Sequence, residues 1–472
     1  MIGREREKDI LNRCLESKRP EFLVVYGRRR VGKTYLIKEY FKNRFAFYAT
    51  GLAKEKTRAQ LGAFHRSLQE YGSAETRVPA DWFEAFSRLR AVLESPQVHV
   101  DSVSGKKVVF LDELPWMDTA RSDFRSALDY FWNSWGSSRK DLLLIVCGSA
   151  TSWIIEHILA DTGGFYNRTT RQMHLCPFSL HECEELLASN GMILTRKQQM
   201  DSYMIFGGIP YYLSLLDERL SLVQNVDELI FRSDGALRHE YENLFHSLFK
   251  HADNHIMIMR ALSEKKRGMT RAELASGTEI SDGAPLTRAL SELVQCGFIR
   301  KYKNAQTEKN GCFFQIIDPF VLFSQSFTEK EKIKNWSNYF QSPGYYAWAG
   351  NAFEILCLNH IDQIRDTLGI SGISSSEYTW RSKAKIDGAQ IDLLIDRADD
   401  VINVCEMKYT EDPFVMDAAF EKQLIHKIEV FRTETGSRKA LIPTLVSANG
   451  IKRNAYANSI GRLITGEDLF RA

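Results

Sequence analysis

The feature that most constrains this chain of 472 residues is a glycine-rich run near its amino terminus. Residues 22–26 are apolar or aromatic throughout, residues 27–34 read Gly-Arg-Arg-Arg-Val-Gly-Lys-Thr, and a helical stretch follows. A strand, a loop with glycines and a helix form the setting in which backbone N–H groups turn toward phosphate oxygens. Lys33 is expected to reach the β- and γ-phosphates of a nucleotide, and the Thr34 hydroxyl to bind magnesium. The predicted phosphate loop consists of Gly27, Arg28, Arg29, Arg30, Val31, Gly32, Lys33 and Thr34.

Further apolar runs alternate with helical stretches and predict a parallel sheet. Positions that are apolar consecutively indicate strands covered on both faces, so the fold class is α/β. One run ends in Asp112 and Glu113, at the strand end where ligands bind in open α/β sheets. Asp112 is expected to hold magnesium, and Glu113 to orient and polarise the attacking water. Ser149, after another run, could contact the γ-phosphate or the water, although Gly-Ser is also ordinary turn chemistry. The four runs are residues 22–26, 45–48, 108–111 and 142–146.

Length and composition exclude several classes of protein. The length predicts about three domains, and 44% hydrophobic with 26% charged residues is typical of a folded globular chain. A formal net charge of +2 excludes a global polycation, so nucleic-acid binding has to be argued from a local surface. The eight cysteines are scattered without CxxC pairs, which favours neither zinc nor disulfides. No apolar run reaches the roughly 18 residues of a membrane span, so we expect a cytoplasmic protein without a membrane partner.

Changes in the periodicity of apolar residues divide the chain into four regions. The phosphate loop belongs to an ATPase core at residues 1–175, and helical periodicity interrupted at residues 207–210 predicts a helical lid at residues 176–250. Residues 251–330 form a compact unit, and a last module at residues 331–472 has strands of its own.

The middle unit resembles a winged helix-turn-helix. Three helices, the second with a Thr270 cap and Glu273 three residues later, precede two strands around a polar turn. Lys and Arg outnumber Asp and Glu in residues 260–303, and Arg288, Lys301 and Lys303 could contact DNA phosphates. Winged helices also serve as protein-docking modules and spacers, so that alternative stays open.

The last module carries a pattern of acidic residues and a lysine on two strands. Glu406 and Lys408 are two residues apart on one strand and share a face, while Asp392 lies on the strand before. Asp392 and Glu406 would bind magnesium, Lys408 would position the water, and Glu354 on a helix could complete the metal shell. Order and spacing resemble the PD-(D/E)xK nuclease fold, with Ile391 in place of the proline. A charged edge strand is the structural alternative, and the fold could persist without activity.

Five short runs together resemble the archaeal-type ATPases of the AAA+/STAND P-loop group. That resemblance implies Arg4 near the adenine, Ser149 as the first sensor, and Pro210 in a turn that caps the nucleotide from the lid. It also implies an arginine finger, Arg168 or Arg171, supplied within the chain or by a neighbouring copy. The runs are residues 3–7, 27–34, 111–113, 147–149 and 207–213.

The leading hypothesis is an ATPase that uses ATP and Mg²⁺ and whose nucleotide state controls a winged helix and a magnesium-dependent nuclease-like domain acting on DNA. The alternative is a nucleotide-switched signalling or scaffold ATPase with protein partners and an inactive nuclease fold. A purely structural nucleotide-binding protein is disfavoured by the carboxylate of Glu113. AAA+ relatives often form oligomers, whereas STAND relatives can be closed monomers, so a homo-oligomer is possible and the oligomeric state stays open.

Overall fold

The computed structural model describes residues 1–160, 168–249, 252–265, 268–303, 312–329, 333–382 and 388–472. The chain divides into two compact units, Met1–Cys176 and Pro177–Ala472. Across these described ranges, no helix is both long and apolar enough to cross a membrane. Residues 165–167, which precede Arg168 in the predicted finger segment, and the side chain of Lys303 lie outside what is described.

The first unit is built on a five-stranded parallel sheet with the order β2-β3-β4-β1-β5. The α/β class with a parallel sheet, predicted from the apolar runs, is thereby confirmed. Its strands are β1 Glu21–Tyr26, β2 Phe47–Thr50, β3 Lys107–Asp112, β4 Leu142–Gly148 and β5 Arg171–His174. Its helices are α1 Glu5–Glu16, α2 Lys33–Tyr40, α3 Thr57–Glu70, α4 Trp82–Glu94, α5 Leu114–Met117, α6 Phe124–Ser134 and α7 Thr151–Ile154.

The central strands of this sheet are covered on both faces. Every residue of β4 is buried, and so is every residue of β3 after Lys107. Side chains of one face, including Phe22 and Val24, pack with aromatic residues of α3, α4 and α6. Because neighbouring side chains point to opposite faces of a strand, consecutive burial requires cover on both sides. The edge strand β5 differs, since only Met173 in it is buried, and its polar sequence explains why the apolar pattern missed it.

The second unit contains two further sheets and most of the helices. Its strands are β6 Met269–Thr270, β7 Ile299–Lys303, β8 Cys312–Ile316, β9 Ser375–Arg381, β10 Gln390–Arg397, β11 Val401–Lys408, β12 Ala440–Ser447 and β13 Arg462–Thr465. Its helices are α8 Leu180–Ser189, α9 Arg196–Phe206, α10 Pro210–Leu213, α11 Leu222–Val226, α12 Glu240–Leu248, α13 Ala252–Glu264, α14 Arg271–Gly277, α15 Ala284–Gln295, α16 Pro319–Phe327, α17 Pro343–Asn359, α18 Ile361–Thr367 and α19 Ala418–Thr435.

The middle part of the second unit combines α13, α14 and α15 with a small antiparallel sheet. Its strand order is β6-β8-β7. The predicted start of α14 is confirmed, because the Thr270 side chain accepts a hydrogen bond from the backbone N–H of Glu273 and the Glu273 carboxylate accepts one in return from the N–H of Thr270. This reciprocal pairing satisfies N–H groups that a helix leaves open at its first turn. The two strands β7 and β8 pair as a hairpin, with Arg300 opposite Gln315 and Tyr302 opposite Phe313.

The last part of the chain forms a five-stranded mixed sheet with the order β13-β12-β11-β10-β9. Strands β9, β10 and β11 pair antiparallel, whereas β11, β12 and β13 pair parallel. The helix that carries Glu354, α17, begins at Pro343. Ser342 caps the helix through the N–H of Tyr345, and proline is compatible with a first helical position, where no N–H partner is needed.

Candidate nucleotide site

The loop between β1 and α2 has the backbone of a phosphate-binding turn. Gly27, Arg30 and Gly32 have positive φ angles of 145°, 72° and 92°. Gly32 is the N-cap residue of α2 and has no side chain that could accept a hydrogen bond from the first turn of that helix. The N–H groups of this turn lie at the positive end of the helix dipole, which is a favourable place for an anion.

Lys33 is buried and its ammonium group is held by the loop itself. Lys33 Nζ donates hydrogen bonds to the carbonyl oxygens of Gly27 at 2.7 Å and Arg28 at 2.8 Å. The lysine thus crosses the concave side of the loop, where a phosphate oxygen could take the place of either carbonyl. Elsewhere in the loop Arg28 and Val31 are also buried, whereas Arg29 is exposed.

The predicted pair of magnesium ligands is brought together at the edge of the sheet. Thr34 Oγ1 donates to Asp112 Oδ2 at 2.9 Å, although 78 residues separate the two. Burial raises the pKa of Asp112, and the hydrogen bond from Thr34 acts in the opposite direction. A hydroxyl and a carboxylate oxygen beside the phosphate loop suit a hard cation such as Mg²⁺, which takes its remaining ligands from phosphates and water. These two residues therefore fit the ion that the motif implies.

Glu113 is held by the residue predicted as a sensor. The Ser149 hydroxyl donates to Glu113 Oε2 at 2.8 Å, and the Ser149 backbone N–H reaches the same oxygen at 3.3 Å. Glu113 is half-buried and has a φ of 48°, an uncommon backbone state for a non-glycine residue. Strained backbone of this kind persists where the surroundings fix it, often at functional sites. The adjacent ends of β3 and β4 thus place a carboxylate and a hydroxyl at the same edge as the loop.

Arg4 braces the phosphate loop from the amino-terminal helix. Its side chain is buried, and its Nη2 donates to the Val31 carbonyl oxygen at 3.1 Å. The resemblance implies that Arg4 lies near the adenine, and the structure places it against the loop that would hold the phosphates. An adenine contact remains a prediction for this residue.

Comparison with known proteins supports a nucleotide-binding role for this unit. Residues 1–216 match an ATPase domain described as predominantly from Archaea. The chain carries an ATPase domain of this archaeal type. An uncharacterised protein of Methanocaldococcus jannaschii is 25% identical over 325 residues, covering 68% of this chain and 67% of that protein. An uncharacterised ATP-binding protein of the same organism is 40% identical over 43 residues, which are 9% of this chain and 73% of that protein.

Solved structures are also similar in part. A Walker-type ATPase of Pyrococcus abyssi aligns with a TM-score of 0.46 and 17% identity, covering 69% of this chain and 96% of that one. The ORC2 protein of Aeropyrum pernix aligns with a TM-score of 0.43 and 17% identity, covering 68% and 91% of the two chains.

The two predicted finger arginines lie at the far edge of the ATPase sheet. Arg171 pairs with Leu23 near the start of β1, and its Nε is 3.5 Å from Glu21 Oε2. Arg168 is exposed and stands two residues before Thr170, whose N–H donates to the Phe22 carbonyl oxygen at 3.0 Å. The phosphate loop follows the opposite end of β1. The role of either arginine as a finger, within the chain or toward a neighbouring copy, remains a prediction.

Two further side chains lie beside this site, and the sequence patterns assign no role to either of them. The Cys147 thiol is buried and hydrogen-bonds Asp112, and burial raises the pKa of Cys147 well above its usual range. His174 stacks on Tyr26 with ring centroids 4.9 Å apart. Desolvation, and then the charge of Lys33, lower the pKa of His174. The position of Cys147 at the end of β4 was the available signal, because parallel strands end at a common edge.

Pro210 belongs to the second unit and begins α10. The turn before it needs its glycines, since a Cβ on Gly208 would lie 1.9 Å from the Phe178 carbonyl oxygen. The backbone of Phe178 therefore leaves no room for a side chain on Gly208. A contact between this turn and a nucleotide remains a prediction.

The carboxylates predicted to bind metal in the last sheet have protein cations as neighbours instead. Glu406 is buried and its Oε1 is 2.5 Å from Lys427 Nζ on α19. Glu354 and Asp392 line one cavity with Arg300. Lys408 Nζ lies 5.1 Å from the centroid of the Phe420 ring. Throughout the described ranges, no three His, Cys, Asp or Glu residues are grouped so that they could hold a metal ion. As arranged here, these residues do not fit the magnesium site that the nuclease resemblance implies.

Replacing Gly27 with alanine is expected to destabilise the ATPase domain. A Cβ at this position would lie 2.3 Å from the Leu175 carbonyl oxygen, and a φ of 145° disfavours any L side chain. A cost of about 2–4 kcal/mol follows from the clash and the backbone strain together. Thermal unfolding followed by circular dichroism would measure it.

Gly62→Ala is the matched control, because Gly62 lies in α3 with open space around its Cβ and alanine favours a helix. An unchanged unfolding temperature for Gly27→Ala would contradict this account.

Proposed function

We propose that this chain binds ATP with Mg²⁺ and hydrolyses it, with Glu113 as the general base. The observation that carries the proposal is the convergence of three groups at one sheet edge. Lys33 crosses the phosphate loop, Thr34 meets Asp112 at 2.9 Å, and Glu113 lies beside them under the Ser149 hydroxyl. The match of residues 1–216 to an ATPase domain supports the same activity.

Each residue has one task in the proposed reaction. The N–H groups of the loop and Lys33 bind the phosphates and offset their negative charge. Thr34 and Asp112 would hold Mg²⁺, which supplies charge neutralisation on the phosphate oxygens when it is bound. Glu113 accepts a proton from the attacking water. Ser149 donates to the Glu113 carboxylate, so it orients this base and competes with the water for the same oxygen.

Purified protein tests the proposal in two steps. Equilibrium titration with fluorescent ATP, with and without Mg²⁺, should show binding that is stronger with the ion. Phosphate release should then require Mg²⁺ and stop when EDTA is added. An absence of nucleotide binding under both conditions would rule out the proposed function.

A neighbouring copy of this chain would provide the arginine finger in this proposal. Arg168 is exposed at the sheet edge opposite the phosphate loop, so it is suited to reach a second protomer. Pro210 would cap the nucleotide from the helical lid, as the resemblance implies. Molar mass measured by light scattering should rise with ATP, and Arg168→Ala should lower ATP turnover without lowering ATP affinity. A monomer under all nucleotide conditions would contradict the finger in trans.

We further propose that the second unit combines a winged helix with a PD-(D/E)xK nuclease fold that acts on DNA. The helices α13 to α15, the β7–β8 hairpin, and the juxtaposition of Asp392 and Glu354 in one cavity favour this assignment. The exposed side chain of Lys301 would contact DNA phosphates. Arg288 is less available, since its Nε donates to Glu292 Oε1 at 2.9 Å. The rival function is a nucleotide-switched scaffold with protein partners.

DNA binding and cleavage separate these two functions. Affinity for duplex DNA should fall steeply between low and high salt if phosphate contacts dominate. Plasmid, linear and single-stranded DNA should be incubated with Mg²⁺ or Mn²⁺, alongside Asp392→Ala as the inactive variant. Salt-independent affinity together with no cleavage by any variant would favour the scaffold.

A further inference from the structure

A wide cavity, the amino-edge cleft, lies where the strands of the first sheet begin. Its volume is about 970 Å³. The nucleotide site lies at the other end of the same strands, where β3 ends in Asp112. With about 3.3 Å per residue, the ends of β3 are about 17 Å apart, so a nucleotide on the phosphate loop does not fill this cleft. The walls of the cleft come from four segments, within residues 12–18, 40–44, 99–106 and 140–141.

Four exposed side chains of Lys and Arg line the amino-edge cleft without acidic partners. They belong to three of its four segments, and in the described ranges of the chain none of them forms an ion pair or donates a side-chain hydrogen bond. Clustered like charges raise the local positive potential and repel one another, and a bound anion offsets that repulsion. These four cations are Lys18, Lys42, Arg44 and Lys140.

The carboxylates that line the cleft do not neutralise these cations, because two of the three have other partners. Asp141 Oδ2 lies 3.0 Å from Arg139 Nη2, and Arg139 is not part of the lining. Asp101 Oδ1 accepts hydrogen bonds from the N–H of Ser104 at 2.8 Å and from its hydroxyl at 2.6 Å. Glu16 is exposed and is left as the one lining carboxylate, within the described chain, that has no such partner. The cleft therefore keeps an excess of positive charge.

The backbone that carries the four cations is held in place by hydrogen bonds. Lys106 is buried, and its Nζ donates to the carbonyl oxygens of Arg19 at 2.6 Å and Lys140 at 2.7 Å. The segments before β1, β3 and β4 are thereby tied to one another. After α2, the N–H of Asn43 donates to the Lys38 carbonyl oxygen at 2.9 Å. Binding of an anion therefore requires little ordering of the chain.

The lining favours a chain of phosphates over an ordinary small molecule. Leu15, Phe41 and Val103 are the hydrocarbon side chains among the lining residues, whereas small-molecule sites are mostly apolar. Nucleic acid carries a charge at every nucleotide, and single strands lie in grooves of positive charge. A duplex is read by an element that protrudes into its groove, and the cleft is concave instead.

We propose that the four cations of the amino-edge cleft bind the phosphate backbone of a single strand of nucleic acid. This site is separate from the nucleotide edge and from the second unit, so the proposal depends neither on ATP hydrolysis nor on a nuclease. The strand crosses the cleft and contacts cations on more than one wall.

Fluorescence anisotropy of the full chain with labelled oligo(dT), which forms no duplex, tests the cleft. Lys42→Gln combined with Arg44→Gln should weaken binding about tenfold or more at low salt. The slope of log K against log salt should become shallower by about 1.4, since each of two lost contacts to a single strand contributes about 0.7. ATP affinity should stay unchanged. Unchanged oligo(dT) affinity, or an equal loss of ATP affinity, would overturn the proposal.

A second pair of substitutions tests whether the strand crosses the cleft. Lys18→Gln combined with Lys140→Gln removes two charges from other walls and should give a similar loss of affinity and slope. An effect of the first pair alone would overturn a strand that contacts several walls. The loss should also persist in a Lys301→Gln background, because Lys301 belongs to the second unit. A loss that disappears there would place the contact in the second unit and overturn the proposal.

Lys54→Gln combined with Arg66→Gln is the matched control. Both residues are exposed in the first unit but do not line the cleft, and Lys54 has a positive φ like Lys42. Oligo(dT) affinity should therefore stay unchanged. An equal loss in this control would indicate general attraction to the unit and would overturn the cleft.

Competition distinguishes a nucleic-acid strand from other anions. Unlabelled oligo(dT) should displace the label at concentrations of charge where tripolyphosphate and polyglutamate have little effect. Equal displacement by tripolyphosphate would indicate a small phosphate ligand, and equal displacement by polyglutamate an acidic protein segment. Either result would overturn the strand, and so would tighter binding of the oligo(dA)–oligo(dT) duplex than of oligo(dT).

Discussion

Replacing Glu113 with glutamine is expected to lower the ATP turnover number by about a hundredfold or more and to change ATP affinity only a few-fold. Glutamine keeps the size of the side chain and can still accept the hydrogen bond from the Ser149 hydroxyl. It cannot take a proton from water at neutral pH. The loss should therefore fall on the chemical step, and steady-state phosphate release with a parallel binding titration would separate the two effects.

Glu39→Gln provides the matched control for this variant. Glu39 is exposed on α2 of the same domain, so its replacement removes the same charge without touching the site. Turnover and affinity should stay at the values of the unchanged protein. If Glu113→Gln hydrolysed ATP as fast as Glu39→Gln, Glu113 would not be the general base.

Replacing Lys33 with methionine is expected to weaken ATP binding by about a hundredfold or more. The ammonium group is buried beside the phosphate loop, where its attraction to phosphate is stronger than in water. Methionine has a similar length but neither the charge nor the donors that now reach the Gly27 and Arg28 carbonyl oxygens. Fluorescent-nucleotide titration should show the loss for both ATP and ADP, with turnover falling accordingly.

A loss of ATP affinity in Lys33→Met has to be distinguished from a loss of stability, because the same two loop carbonyl oxygens lose their hydrogen bonds. Lys33→Met removes both hydrogen bonds, so the thermal unfolding temperature has to be measured alongside affinity. Lys18→Met, at an exposed position of the same unit, controls for the loss of charge and should bind ATP normally. Normal ATP affinity in a folded Lys33→Met protein would remove Lys33 from the phosphate site.

The nucleotide site was largely predictable because its residues follow strands with strong patterns. Strands β1, β3 and β4 are buried on both faces, and their apolar sequences reveal them without any partner. Parallel strands end at one edge, so Thr34, Asp112 and Ser149 could be expected together there. The edge strand β5 could not be predicted in this way, because its sequence is polar apart from Met173.

Local sequence patterns do not predict which residues pair with the carboxylates of the second unit. The spacing of Glu406 and Lys408 predicts a shared face, but it cannot show that Lys427 comes within 2.5 Å of Glu406. Likewise, nothing near Arg300 in sequence indicates that it lines a cavity with Asp392. Pairings of this kind depend on how distant segments pack, and packing decides whether a carboxylate meets a metal or a protein cation.

A single-turnover experiment would show whether this chain hydrolyses ATP through Glu113. Excess protein would be mixed with radiolabelled ATP and Mg²⁺, and bound ATP, ADP and phosphate would be followed in the same samples. We expect the unchanged protein to convert bound ATP to ADP and phosphate, and Glu113→Gln to retain bound ATP over the same time. Conversion at equal rates by both proteins would contradict it, and so would bound ATP that neither protein hydrolyses.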